Sequence, residues 1–552
     1  MQNTFLSLVP PFIALGTAFF SRRIVVGLVC GIATGALIAT DWSIPAAIQL
    51  SVNRLIHSSD LWRLASWDAF WQSSNLFILI FLLALSIIIA LISYAGGVFA
   101  YVNWSKKYIR SAKTAQFASM ILSYCLCIDD YFSSLTVGSV MQPITDRYKI
   151  PRVKLSFLVD SLAAPVVILC PISSWLAGIL GFLKEYGIKQ TSSPGTFIIA
   201  DPFFVYLTLL PFLFYPLVVL ASTFFIVRCA ISFGPMYQQE QIAHKTNNLF
   251  GGKSLVNSST QETPQENRNR AQVIDFLVPV LFLIFGTIFA ILGSGRFVLL
   301  GGHNGLFAAL QQANAAKALF LSGTITVIFI TIFFLARKRM KIRDIPSLYH
   351  AGIRLMMSTI LMLICAWALG DILRLDLLTG QYIGTFISAS SSSFFLIAPL
   401  LFLLALFIAF SIGSSWATMA IMLPIVIPIV VSFAQLPTPV PFEQVPLLSF
   451  MLGALFSGAV AGNHISPLAD TTLMSARSAG AHLTDHVHAQ LWYAVPMIIA
   501  TTLGFFVASF MITYSRTLGW LCGITTSIGI SILLLSLLNH VVHKKSIGKS
   551  HE

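Results

Sequence analysis

The feature that most constrains this chain is repetition. Apolar runs recur along its whole length with few long polar breaks, and many reach the roughly 20 residues that a helix needs to cross the hydrocarbon of a bilayer. In oil each backbone amide has to be satisfied within its own segment, so runs of this length fold as helices packed side by side. Composition agrees: 57% of the 552 residues are hydrophobic and 10% are charged, whereas soluble domains carry about a quarter as charged residues. A soluble enzyme of ordinary kind is excluded. So is a disordered chain, which needs far more solvated polar groups.

The net charge of +13 does not point to nucleic acid. Lys and Arg fall mainly in short segments between apolar runs, without aromatic interleaving or a Gly-rich arm. They read as topology, because loops on the cytoplasmic side retain basic residues. The seven cysteines (Cys30, Cys125, Cys127, Cys170, Cys229, Cys365 and Cys522) form no paired framework, and most are expected to pack as small apolar groups. Cys125 and Cys127 lack the second pair that a zinc site needs. Met1 to Leu15 has no basic n-region, so the first run reads as a retained helix rather than a cleaved signal.

Crossings are expected near 4–21, 24–40, 75–100, 154–182, 203–228, 272–294, 317–336, 350–369, 447–468, 491–513 and 517–540. The segment 41–74, with Trp42, Trp62, Trp67 and Trp71, reads as an interfacial external loop or helix. Two further apolar stretches, 114–146 and 394–432, are interrupted by small polar residues. The first holds Asp129-Asp130-Tyr131-Phe132-Ser133-Ser134, and the second Gly413-Ser414-Ser415-Trp416. Basic clusters flank the first stretch on both sides, at Lys106, Lys107, Arg110 and Lys113 and at Arg147, Lys149, Arg152 and Lys154. That pattern predicts a segment that enters and returns on the cytoplasmic face. The same count has the second stretch start and end outside, and opposed hairpins are what an inverted repeat produces. Residues 133–144 and 414–425 align without gaps on Ser-Ser and Met-x-Pro-Ile, while Ser161/Pro171 and Ser457/Pro467 share one spacing. The long polar stretch 232–270 reads as a flexible connector between the halves 1–231 and 271–552.

Acids at membrane depth are expensive and face a cavity or a partner. Asp129, Asp130, Asp160, Asp470 and Asp371 are the candidates. Asp129 and Asp130 sit about 22 Å of helix from the start of their stretch, near the midplane. A break there frees backbone carbonyls, and Ser133, Ser134 and Thr136 add hydroxyls; carboxylate, carbonyl and hydroxyl oxygens suit a hard cation. Adjacent acids also repel, so one can exchange a proton. The plainer reading is that the pair caps the following half-helix. Asp160 lies close to Lys154 and Arg152 in sequence and reads either as an ion or proton site or as an interfacial ion pair. Pro165 and Pro171 break its helix ahead of Ser173 and Ser174, which can line the gap or merely satisfy a kink. In the second half Ser414, Ser415 and Thr418 form the small polar break, or a helix-packing face. Asn463, Ser466, Asp470 and Thr471 surround a second proline break. His464 reads as a proton relay or a structural hydrogen-bonding group. His482, Asp485, His486 and His488 read as a solvated cytoplasmic loop rather than a metal site.

These stretches resemble the NhaC-type sodium/proton antiporter family of the two-hairpin ion transporter superfamily. The resemblance runs from about Phe117 to Met497 through IDDYFSSLTVGSVMQPITD, APVVILCPISSW, GSSWATMAIMLPI and GNHISPLADTT. It implies a secondary carrier with sodium and proton coupling, no cofactor, and Na+ and H+ as coupling or transported ions. Two departures stand out: Asn463 occupies a position where the family commonly has Asp, and Ser414 and Ala417 replace its Thr and second Gly.

The expectation is an all-α polytopic membrane protein, with about 11 crossing helices and two opposed re-entrant hairpins related by an inverted repeat. It would exchange Na+ for H+ by alternating access, with Asp129, Asp130, Ser133, Ser134, Thr136, Asp160, Asn463, Asp470 and Thr471 for ion and proton. Ser173, Ser174, Ser414, Ser415, Thr418 and Ser466 are the substrate-lining group. The alternative is Na+- or H+-coupled carriage of a small organic acid or amino acid. An intramembrane hydrolase lacks a compact nucleophile, base and oxyanion set. The partners are the lipid bilayer and a small ion or solute; a homodimer is compatible with this reading. The bacterial inner membrane is the expected location, N-terminus outside and C-terminus cytoplasmic.

Overall fold

Most apolar runs become helices, and the interruptions fall where small residues, Asp or Pro stand. The computed structural model describes residues 4–21, 23–105, 107–193, 195–254, 270–379, 382, 394–433 and 436–548. In chain order the main helices are α1 (Val9–Ser21), α2 (Ile24–Ala39), α3 (Asn75–Ala95), α4 (Ala112–Cys125), α5 (Asp130–Arg147), α6 (Arg152–Val167), α7 (Ser174–Glu185), α8 (Pro202–Leu209) and α9 (Phe214–Arg228). The second part adds α10 (Ile274–Ser294), α11 (Ala315–Ala336), α12 (Ile345–Asp371), α13 (Phe394–Ile412), α14 (Ser415–Ser432), α15 (Leu448–Ile465), α16 (Asp470–Ala479), α17 (Leu483–Met511) and α18 (Arg516–Gly548).

Among the described residues eight helices are long and apolar enough to cross a membrane. The pair α8 and α9, bent by 48°, makes a ninth if it counts as one span. Against the sequence reading, α1 and α2 fall short at 13 and 16 residues, 154–182 is broken between α6 and α7, 203–228 is the bent pair, and α14, expected as one arm of a hairpin, is itself among the eight. Trp-bearing segment 41–74 forms the helix Ile44–Ser58 and two short turns.

The bundle has two distinct ends, set apart by α17, whose 29 residues extend over about 43 Å. At one end Lys253 bonds Asp485 (2.6 Å), Arg337 and Arg339 bond Asp275 (2.7 and 2.9 Å), Lys154 pairs with Glu240, and Arg152 donates to the Ala479 carbonyl (2.8 Å). At the other, Arg516 donates to the Thr208 carbonyl (3.3 Å), Thr208 shares a hydrogen bond with Ser449 (2.8 Å), and Arg54 grips Asp376 through Nε (2.9 Å) and Nη2 (2.5 Å). There too lie three two-residue parallel strands, β1 (Ile188–Lys189), β2 (Ile198–Ile199) and β3 (Val440–Pro441), paired as Ile188 with Ile198 and Ile198 with Val440. The strands tie the far end of α7 to the near end of α15.

Two helix–break–helix pairs sit in this frame. In the first, α4 and α5, the outer ends lie together, because Tyr148 just beyond α5 donates to the Ile109 carbonyl just before α4 (2.8 Å). In the second, α13 runs alongside α15 in the same direction. Gly458 sits against Phe402 and Gly462 against Leu406, so closely that a Cβ would meet the carbonyl oxygens at 2.2 and 2.1 Å, and Ser466 donates to the Phe410 carbonyl (2.7 Å). The other arm, α14, follows α7: Gly178 lies on the Trp416 ring, and Tyr186 donates to the Ala420 carbonyl (2.9 Å).

The 232–270 segment departs from the sequence reading. Residues 255–269 lie outside the described residues, but Gly234–Thr246 is a helix, anchored through Glu240 to Lys154. Its Gln-rich composition signalled solvent, and one helical face is nevertheless packed.

Candidate ion site at two helix breaks

Between α4 and α5 the backbone leaves helical geometry at Leu126–Asp129, and Asp129 takes the N-cap. Its Oδ1 accepts from the Phe132 amide (2.9 Å), and its Oδ2 from the Ser174 hydroxyl (2.8 Å). The capping reading therefore holds for Asp129. The Ser174 amide donates in turn to the Ile128 carbonyl (2.9 Å), so the first break is stitched to the break between α6 and α7. Cys127 and Cys170 bring their sulfurs within 2.9 Å across the same seam. Ser173 caps α7, accepting from the Leu176 amide (3.2 Å) and donating to the carbonyls of Val167 and Cys170.

Asp130 opens α5 and is 4% exposed. Ser133 and Ser134, one turn further on, are 0% exposed, and neither hydroxyl oxygen has a hydrogen-bond partner. A buried hydroxyl without a partner loses the free energy of an unmade hydrogen bond, so two side by side at a carboxylate pair mark a place built for something polar. Thr136 is only half-buried and lies beyond this cluster. Asp470, the first residue of α16, is exposed at the surface of the protein rather than enclosed, and reaches the first break through Tyr131, whose hydroxyl is 3.5 Å from its Oδ2. Thr472 close by is a further buried hydroxyl without a partner.

The second break is neutral and closed. Gly413 turns the chain at φ +76°, its Cα against the Leu468 backbone. Ser414 caps α14, accepting from the Ala417 amide (3.3 Å), while Ser415 donates to the Ala459 carbonyl (2.9 Å) and Thr418 to the Ser414 carbonyl (2.9 Å). Asn463 accepts from Thr471 (3.3 Å), and Ser466 accepts from the Leu468 amide (3.2 Å). Each hydroxyl named here has its partner.

Three sequence expectations need correction. Asp160 makes no pair with Arg152 or Lys154, which bond Asp146 and Glu240 instead. It is 2% exposed and accepts from Gln490 (2.6 Å), His486 (3.2 Å) and Ser475 (3.5 Å). His486 is accordingly no solvated loop residue but 0% exposed in the first turns of α17. The sequence alignment of the repeat is also one turn out. It sets Ser133-Ser134 against Ser414-Ser415, yet the caps that begin α5 and α14 are Asp129 and Ser414. The spacing read for Ser161/Pro171 and Ser457/Pro467 does match at the helix starts, Ser174 and Asp470.

His464 is held from both sides, Nε2 to Ser161 (3.0 Å) and Nδ1 to the Tyr215 hydroxyl (2.7 Å). Asp371 is tied to Arg374 (2.7 Å) at the end of α12. The sequence reading missed His486 and Gln490 as a pair. Their i, i+4 spacing on one helical face was the available signal. Among the described residues no three His, Cys, Asp or Glu side chains cluster to hold a metal ion.

Buried carboxylates beside unfilled hydroxyls, at breaks in a bundle of apolar helices, define a membrane carrier for a small charged solute. Comparison places it further. The chain belongs to the Na+/H+ antiporter family, whose profile matches residues 166–510, and it is a secondary transporter. The match begins at Val166 inside α6, so it includes the whole α6–α7 break and all of the second half of the site; Asp129 and Asp130 precede it. The chain is 30% identical over 520 residues to an uncharacterized protein of Haemophilus influenzae, covering 93% of this chain and 92% of that one. It is 32% identical over 120 residues to a malate-2H+/Na+-lactate antiporter of Bacillus subtilis, 21% of this chain and 23% of that one. Among solved structures, the YdaH transporter of Alcanivorax borkumensis aligns with a TM-score of 0.47 at 13% identity, covering 88% of this chain and 90% of that one. MtrF of Neisseria gonorrhoeae aligns with a TM-score of 0.41 at 12% identity, over 90% and 85%.

Proposed function

We propose that this secondary transporter exchanges Na+ for H+ by alternating access around the first break. The observation that carries the reading is the buried Asp129–Asp130 pair, one helical turn from two hydroxyl oxygens that no described residue engages. Dehydrated Na+ takes oxygen ligands, and Asp130, Ser133 and Ser134 offer carboxylate and hydroxyl oxygens on one turn of helix. Two neighbouring carboxylates are not both ionised without a counter-charge, so a proton and a sodium ion compete for them. Competition at one site is sufficient for exchange: the carrier faces each side loaded with one or the other.

In this reading both helix–break–helix pairs are re-entrant, entering from opposite faces as an inverted repeat requires, and the hydroxyls of Ser173, Ser174, Ser414, Ser415, Thr418 and Ser466 line and brace the gaps. The end carrying Lys253, Arg337 and Arg339 faces the cytoplasm, because basic residues are retained there, which leaves the N-terminus outside a bacterial inner membrane. Asp470, held to the first break by Tyr131, guards the approach.

The test is reconstitution into liposomes with a trapped pH dye and radioactive sodium. An outward proton gradient is expected to drive sodium uptake with matching alkalinisation, and Asp129→Asn, which keeps a capping oxygen, should remove both. Sodium that fails to move under any imposed gradient, while an organic acid accumulates, would overturn the proposal.

A further inference from the structure

The carboxylate that the first break does not use lies within a separate polar network buried among α6, α9, α15, α16 and α17. Asp160 receives Gln490 and His486 on one oxygen and Ser475 on the other. All four side chains are buried. Two atoms of this network have no partner, His486 Nδ1 and Gln490 Oε1. Gln490 Nε2 also donates to the His464 carbonyl, which belongs to the last turn of α15 and is freed from the helical ladder by the break that follows. Ser475 stands on α16, beyond that break. A single carboxylate thus holds both flanks of the α15–α16 break, α15 through Gln490 and α16 through Ser475.

A buried carboxylate is tolerated when a counter-charge or hydrogen bonds satisfy it. With His486 protonated, Asp160 has a cation at hydrogen-bond distance. With His486 neutral, it keeps only neutral donors, and its hold on Gln490 and Ser475 has to tighten or the network has to open. From neighbouring elements the ionisable groups that face the pair are His464 on α15 and Tyr215 on α9, which bond one another. Lys154 on α6 is engaged by Glu240, and Arg477 on α16 is exposed. Among the described residues no other acid bonds to this network.

We propose that His486 and Asp160 form a second proton-binding site, distinct from the first break, and that Gln490 passes its protonation state to the α15–α16 break. This rests on the exchange reading above and deepens it: sodium and proton compete at the first break, and the return of the proton-loaded carrier depends on the His486–Asp160 pair, whose hydrogen bonds set the geometry of the α15–α16 break.

The decisive experiment compares two fluxes in proteoliposomes. Sodium self-exchange, with equal sodium on both sides and no pH gradient, needs only the sodium site; sodium uptake driven by a pH gradient needs both. His486→Gln is expected to lower gradient-driven uptake by about tenfold or more, the scale of coupling between linked sites, and to flatten its pH profile, while self-exchange persists. Gln490→Leu, which leaves the pair intact but cuts the link, should uncouple the fluxes in the same direction and serves if His486→Gln does not assemble. Equal loss of both fluxes in these variants, or a gradient-driven uptake and pH profile like wild type, would overturn the proposal. A wild-type protein that exchanges no sodium in either assay would instead defeat the exchange reading itself.

Discussion

The two breaks that begin α5 and α14 are built alike and filled differently. Each is capped by a small polar side chain, Asp129 or Ser414, and each abuts the break of a longer helix, through Ser174 in one case and Leu468 in the other. The first carries two carboxylates and two buried hydroxyls without partners. The second carries no charge, and its hydroxyls are all engaged. The composition at the helix starts is even exchanged: Asp at the first tip faces Ser174, while Ser at the second tip has Asp470 at the corresponding helix start. In the proposed exchange the charged, unfilled break takes the cation, while the neutral, satisfied one braces the helices around it.

That contrast can be broken by substitution. The largest effect is expected at Asp130. Asp130→Asn should cut gradient-driven sodium uptake by at least about a hundredfold, since a carboxylate at contact distance supplies a few kcal/mol at an effective dielectric of about 20. Ser415→Ala, at the same helical position of α14, should cost no more than a few-fold. Comparable losses would mean that the two breaks do not divide their labour. Next comes Gly413, which holds φ +76° with the Leu468 carbonyl carbon 2.7 Å from where a Cβ would stand. Gly413→Ala should destabilise the protein by roughly 1–3 kcal/mol, visible as a lowered melting temperature in detergent. No residue of the first break has positive φ, so Leu126→Ala there should act only through lost packing. The smallest effect separates ligand from filler: Ser133→Ala should leave stability unchanged or slightly raised, because it removes an unsatisfied hydroxyl. It should nevertheless weaken the apparent sodium affinity by a few-fold, read from the concentration dependence of uptake. Thr418→Ala should do the reverse, lowering stability by about 1 kcal/mol through its lost bond to the Ser414 carbonyl with sodium affinity unchanged.

Much of this architecture was legible in the chain itself. Apolar length gave the helices, since a bilayer admits no other use for such runs, and the basic clusters gave the two ends. The breaks were marked by Asp, Gly, Ser and Pro, residues that compete with or cannot continue a helix. The sequence also showed that Asp129 would either cap or bind, because both uses need the same oxygen in the same place. The structure shows the cap, with Oδ1 on the Phe132 amide, and the ion role belongs to the proposed exchange.

What the sequence determined by itself was therefore local: which segments are helical, where they fail, and which residues carry charge into oil. Partnership came from the way the helices pack. Asp160 looked closest to Lys154 and Arg152 along the chain, yet it bonds His486 and Gln490 more than three hundred residues away. A carboxylate's partner is set by which helix faces it across the bundle, and hydrophobic periodicity is silent on that, because lipid-facing and helix-facing sides of a membrane helix are both apolar.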